Sequence, residues 1–245
     1  MGKCLFMRKG ETHTAPVTGI LASDLAVGSV VKLMENGVAT EYLVVNQGKP
    51  SDSSLYDDSC DGTWLLRKDI KESREWHSSN VNDYENSTIH SYLNSTFLGL
   101  LDANIQSAIK QVKLPYRNGS GYGTTLTSGA SGLSAKIFLL SGAEVNWSSS
   151  TDSSIPNDGT CLSYFSGCAT TDSKRIAYLN ASATIWWLRS PYCGSDGGAE
   201  YALIVYAHGG WTCASCSSSY GIRPALILPS TAVFDKNTLI LKGVA

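Results

Sequence analysis

The chain of 245 residues predicts an α+β fold in which two short helices flank antiparallel sheets and long irregular loops join them. Three observations lead there. Only two stretches repeat apolar residues at helical spacing, short β-branched and aromatic runs recur between turn residues, and only 16% of residues are charged while Gly, Ser and Thr are abundant. With 42% apolar residues the chain is long enough to bury a core, which excludes disordered and collagen-like classes.

Residues 1–19 mix charge, Thr and Pro without period and read as a leader or attachment arm; one domain is expected over 20–245. Val27–Leu33 and Glu41–Val45 are β-branched runs separated by Glu35-Asn36-Gly37. Asn-Gly supplies the positive φ of a tight hairpin turn. Gly48–Gly62 is a Ser/Asp loop, and Thr63–Arg67 reads as a buried strand. Asn86 or Ser87 can cap a first helix whose Ile89, Leu93 and Phe97 form one stripe. Asp102 can cap a second, with Ile105, Ala108, Ile109 and Val112 in helical period until Pro115. Helices this short are marginal alone, so their faces are expected to cover a sheet.

Arg117–Ser134 carries little to bury and reads as a surface loop, Lys136–Val145 as a strand, and Asn146–Asp172 as a long loop holding two Cys. The last third is strand-rich: Thr184–Arg189, Tyr201–Tyr206, Trp211–Cys216, Ile222–Leu228, and a closing pair around Val233 and Leu239–Leu241. Trp186 and Trp187 occupy successive strand positions, so they are expected to face opposite sides.

A formal charge of −2 supplies no field for nucleic acid. The longest apolar runs, Ala202–Ala207 and Ala225–Leu228, are too short for membrane insertion, and no apolar segment follows the basic N-terminus as in a secretory signal. Seven Cys are an odd set without a second Cys or His pair to complete a zinc site around Cys213-Ala-Ser-Cys216. No metal or cofactor is expected. Cys161 and Cys168 can bridge a loop in an oxidising compartment.

Residues 191–220 are the most unusual stretch. They hold five Ser, five Gly, four Ala, four Tyr and three Cys, with no Lys, Arg, Asn or Gln. Tyr gives large, rigid contact area at small entropy cost, and Ser and Gly let it approach a partner. Dense apolar borders, Trp186–Pro191 and Tyr220–Leu226, each carry one Arg. A guanidinium in an apolar strand needs carbonyls or a carboxylate, so Arg189 and Arg223 are expected to tie loops to the core. The candidate ligand-binding residues are Tyr192, Ser195, Asp196, Tyr206, His208, Trp211, Cys213, Ser215 and Ser217.

The WWLRSP segment, followed about thirty residues later by GIRPAL with Ala202 and Val205 in the spacer, resembles the hallmark of a bacterial and phage family of unknown function. Ser87–Asn94 resembles that family's upstream helix, with His90 where Arg is usual and Tyr92 where Trp is usual. The resemblance spans roughly Glu41 to Pro229. It implies a C-type-lectin-like fold, shared with formylglycine-generating enzymes and with the variable proteins of diversity-generating retroelements. In the latter, adenine-directed mutagenesis of Asn codons cannot produce Lys, Glu, Gln, Met or Trp; only Glu200 and Trp211 in the window fall outside the reachable set. The opening Met7–Pro16 looks similar to tail-associated prophage proteins, which implies a virion tail or cell-surface location.

These implications favour a non-enzymatic recognition protein, its partner a host cell-surface protein or glycan, with virion tail proteins as neighbours. The alternatives are a structural tail or adhesin component and a formylglycine-generating-like oxidase using Cys213 and Cys216. The window has no Lys or Arg to lower a thiol pKa, leaving His208 alone for that task. Pro156-Asn157-Asp158 reads as a turn rather than a calcium site.

Overall fold

The structure, a computed structural model, describes residues 18–51, 54–118, 124–195 and 198–244; most of the expected leader lies outside these. The hairpin forms as β1 (Val30–Glu35) and β2 (Val38–Gln47). Its turn residues Asn36 and Gly37 have φ of 49° and 75°, the paired positive values that an Asn-Gly turn exists to provide. β3 (Thr63–Arg67) lies against β2. A short polar strand, β4 (Ser73–Glu75), follows.

Helix α1 (Thr88–Tyr92) starts at Ser87, whose hydroxyl accepts the His90 N–H at 3.1 Å. It runs on through a π-helical turn, Leu93–Phe97, which keeps the stripe on one side: Ile89, Leu93 and Phe97 are all buried. Helix α2 (Ala103–Ala108) is shorter than its apolar period suggests, and the Asp102 carboxylate makes no capping bond. Ile109 already has extended backbone, and Val112–Leu114 pairs with Leu133–Ala135 as a two-stranded sheet. Cross-strand bonding there overrides helical spacing. The expected 117–134 loop is corrected in the same way, since Tyr116–Asn118 pairs with Thr125–Thr127. Of the strand expected over Lys136–Val145, only β5 (Ile137–Phe138) is paired.

After a short two-stranded pair, Tyr178–Leu179 with Ser182–Ala183, come β6 (Trp186–Pro191), β7 (Tyr201–Val205), β8 (Trp211–Ser215), β9 (Ser219–Gly221) and β10 (Ala225–Leu228). They complete two five-stranded sheets, ordered β5-β10-β3-β2-β1 and β8-β7-β6-β9-β4. Neighbours are antiparallel apart from β6 and β9, which run parallel where Trp186 pairs with Gly221. Chain segments 68–72 and 222–224 pass from one sheet to the other. Three further strands, Ile20–Leu21, Ala232–Phe234 and Leu241–Val244, form a separate small sheet. Among the described residues the architecture is thus mainly β with two short α-helices.

Both large sheets are covered on both faces. One core joins Val31, Leu33, Val44, Leu65 and Leu226 to the helical stripe and to Trp187, Ala202 and Ile204. The other joins Leu43, Trp64, Leu66, Phe138 and Ile227 to Trp186, Leu188, Leu203 and Val205 under the long loops. Trp186 and Trp187 therefore serve opposite cores, as strand alternation requires. Trp64, Trp76, Trp147, Trp186 and Trp187 are fully buried, and each indole N–H donates to a main-chain carbonyl, of Cys60, Leu188, Thr170, Arg175 and Arg74 respectively.

The two helix starts make a paired prediction. Ser87→Ala should destabilise the protein by about 1–2 kcal/mol in urea unfolding, because it leaves the His90 N–H without its acceptor. Asp102→Ala should stay within about 0.5 kcal/mol of wild type.

Candidate functional site

The borders of the 191–220 window are anchored by buried guanidinium groups. Arg189, on β6, forms a two-pronged ion pair with Glu144: Nη1 to Oε2 at 2.6 Å and Nη2 to Oε1 at 2.7 Å, both side chains at 0% exposure. The same guanidinium donates to the carbonyls of Pro115, Leu139 and Asp158. Glu144 in turn accepts from the Tyr56 hydroxyl at 3.0 Å and the Ser141 N–H at 3.0 Å. Burial works against the charge on Arg189, but the Glu144 carboxylate outweighs it and holds the group above its ordinary range. Burial and then Glu144 push the Tyr56 phenol up, keeping it neutral as a donor.

Asp158 completes this knot. Its carboxylate accepts from Ser190 Oγ at 2.8 Å, and Ser190 Oγ accepts the Gly142 N–H at 2.9 Å. Burial pushes the Asp158 carboxyl up to about 6, against the pull of Arg189 and the Ser190 hydroxyl. At the far border Arg223 is buried, its Nε donating to the Arg67 carbonyl at 2.9 Å and its guanidinium lying 5.1 Å from the Trp186 ring centre. Burial depresses it to about 10. Both border arginines thus bind main-chain carbonyls, as their apolar surroundings demand.

Between the borders, β7 and β8 form a hairpin, with β8 outermost in its sheet. Tyr206 and His208, both exposed, stack at its turn with ring centres 5.2 Å apart and planes 27° apart. The turn is closed by Tyr206 N–H to Gly210 O at 2.8 Å and Gly209 N–H to Tyr206 O at 2.9 Å. Gly209 has φ of +85°, and a Cβ there would lie 2.1 Å from the Asp172 carbonyl oxygen. Arg175 fixes the approach from outside the window. It is fully buried, lies 4.3 Å from the Trp147 ring centre, and donates to the carbonyls of Ala169, Thr170 and Gly209.

The other candidates divide by exposure. Trp211 and Cys213 are half-buried, cross-strand partners of Val205 and Leu203, and pack against the second core; Tyr192 does likewise. Ser215 is half-buried and its hydroxyl donates to Asn80 Oδ1 at 2.8 Å, which also accepts the N–H of the exposed Ser217. Ser195 is exposed, and Asp196 lies outside the described residues. Trp211 to Ser215 is four strand steps, so the aromatic turn and the hydroxyl end stand about 13 Å apart. Cys216 is fully buried, and burial, with Glu200 nearby, pushes its thiol up. The structure therefore brings Tyr206 and His208 together at one end of β8, and Ser215 and Ser217 at the other.

Sequence reasoning passed over Glu144, Arg175, Asn80 and Asp172 and read Asp158 only as part of a turn, yet all five hold this hairpin or its borders in place. Arg189 in a dense apolar strand signalled a need for carbonyls or a carboxylate without pointing to Glu144. Among the described residues, no group of three or more His, Cys, Asp and Glu side chains is placed to hold a metal, and no helix is long and apolar enough to cross a membrane.

A family model described as a domain of unknown function (DUF6273) matches residues 61–230, more than half of the chain. No curated protein and no solved structure matches it.

Two outcomes follow from the knot. Glu144→Gln should cost about 3–5 kcal/mol in urea unfolding, because it strands the Arg189 charge in the core; a loss below 1 kcal/mol would show that the pair is not buried as described. Asp158, raised by the fold, binds its proton more tightly folded than unfolded. Its contribution to stability is therefore full below the unfolded carboxylate range and is lost as pH rises through about 6. Measured against Asp158→Asn, wild type should gain relative stability between pH 7 and pH 5, and a difference independent of pH would refute this.

Proposed function

Because the chain belongs to the DUF6273 family, we propose on the geometry of its own residues that it is a recognition protein, presenting the 191–220 hairpin to a protein or glycan on a host cell. The observation that carries this reading is the exposed Tyr206–His208 stack on a turn locked from behind by Arg175 and Gly209. A pair of rings already fixed in the free protein loses little entropy on contact, which favours binding. The low charge of the window directs it toward partners recognised by shape, aromatic contact and hydroxyl hydrogen bonds rather than by electrostatic steering.

In this reading the domain is a C-type-lectin-like scaffold, and the window is the diversified segment of a variable protein displayed on a virion tail or cell surface. Two features support it. Arg189 and Arg223 bury the borders, while Ser195, Tyr206, His208 and Ser217 are exposed between them. Modest affinity at one hairpin would be multiplied where several copies are displayed together.

Tyr192 and Trp211 pack against the core, so their loss would mix stability with binding. Tyr206→Ala/His208→Ala avoids this. The double variant should lose host-cell binding at least tenfold in flow cytometry while melting within about 2 °C of wild type, since exposed substitutions change stability little. Undiminished cell binding by the variant would end the proposal and leave a structural tail or adhesin role. A template copy of the Trp186–Leu228 coding region that differs at adenines, beside a reverse-transcriptase gene, tests the diversification separately.

A further inference from the structure

Cys161 and Cys168 stand outside the recognition hairpin and outside the knot around Arg189. They bound a loop that folds back on itself through two successive turns, Phe165 N–H to Leu162 O at 2.9 Å and Cys168 N–H to Phe165 O at 3.1 Å. Both ends of this loop are pinned to one short segment of chain. Leu162, next to Cys161, donates its N–H to the Glu144 carbonyl at 3.0 Å, and the Cys168 carbonyl accepts from Asn146 Nδ2 at 3.0 Å. Positions 144 and 146 are two residues apart, so the anchors converge. Asn46 holds the first turn of the loop, its Oδ1 accepting from the Ser163 N–H and hydroxyl. Both thiols are half-buried against the same core.

We propose that Cys161 and Cys168 form an intrachain disulfide in an oxidising compartment, closing the loop beside the segment that steadies the recognition hairpin.

A disulfide, neutral and apolar, suits two half-buried positions against this core better than a pair of thiolates does. Burial pushes both thiols up, and a charge on Cys168 opposes ionisation of Cys161, which places the two within electrostatic reach of each other. Arg175 acts the opposite way on both without reversing the rise. With glutathione disulfide as oxidant, the Cys168 thiolate attacks one glutathione sulfur and expels the other glutathione as thiolate. The Cys161 thiolate then attacks the Cys168 sulfur of the mixed disulfide and expels the second glutathione. The two cysteine protons pass to the departing thiolates, so two protein thiols are oxidised to one disulfide and glutathione disulfide is reduced to two thiols.

Cys168 directly precedes Ala169 and Thr170, whose carbonyls share Arg175 with Gly209 of the hairpin turn. The bond therefore removes freedom from the strap behind Tyr206 and His208, in the unfolded chain as well as the folded one.

The test equilibrates the full chain in oxidised and reduced glutathione mixtures, traps thiols with N-ethylmaleimide and maps peptides by mass spectrometry. The expected result is a Cys161–Cys168 linked peptide lighter by two hydrogens, together with a melting temperature raised by about 5 °C over the reduced protein. Cys161→Ser and Cys168→Ser should each abolish both effects, and Cys193→Ser should abolish neither. Full alkylation of Cys161 and Cys168 in the most oxidising mixture, or a linkage of either to another cysteine, overturns the proposal; the wild-type map decides this even where a variant fails to fold.

Discussion

The Arg189–Glu144 pair is the contact on which the arrangement of the rest depends. One guanidinium, with no solvent around it, gathers a carboxylate and the carbonyls of three separate segments at 115, 139 and 158. A buried pair of this kind offers little net stability over an apolar substitute, because both ions give up hydration. Its effect lies in geometry. Five donors in a fixed fork have few acceptable acceptor positions, so loops with weak packing of their own are drawn to defined places around β6. Glu144 extends the constraint to Tyr56, and Asp158 extends it to Ser190 and Gly142. The long loops over the second core are held by this polar centre as well as by the apolar side chains beneath them.

Local chemistry made much of the fold legible. The Asn36-Gly37 hairpin, the Ser87 cap, the stripe of Ile89, Leu93 and Phe97, and the buried run Thr63–Arg67 each express a preference that neighbouring residues do not contest. The end of α2 was hidden because its cause lies elsewhere: Val112 obeys Ala135, a residue whose pairing leaves no trace in the helical period of 105–112. The polar strands Ser73–Glu75 and Ser219–Gly221 were likewise unreadable, since their positions come from pairing with each other and beside Trp186 rather than from apolar alternation.

The candidate site was legible in composition and opaque in orientation. Tyr, Ser and Gly without Lys or Arg marked the window, and Tyr206 and His208 stand exposed and stacked at its turn. Nothing in the spacing separated these rings from Tyr192 and Trp211, which turn partly inward. Sheet register decides that difference. Trp211 sits across from Val205 on the face that meets the second core, whereas Tyr206 has left the strand and entered the turn. The acid that answers Arg189 lies 45 residues away, a distance over which a single sequence indicates the need for a partner without naming it.

The close approach of Gly209 to Asp172 sets a limit on how the hairpin can evolve. Its neighbours at 206 and 208 project outward and can be exchanged for other side chains without disturbing the backbone. Position 209 has an alphabet of one letter, because any β-carbon would strike the opposing carbonyl and demand a left-handed conformation as well. Substitution at this tip is therefore confined to side chains carried on an unchanged bend.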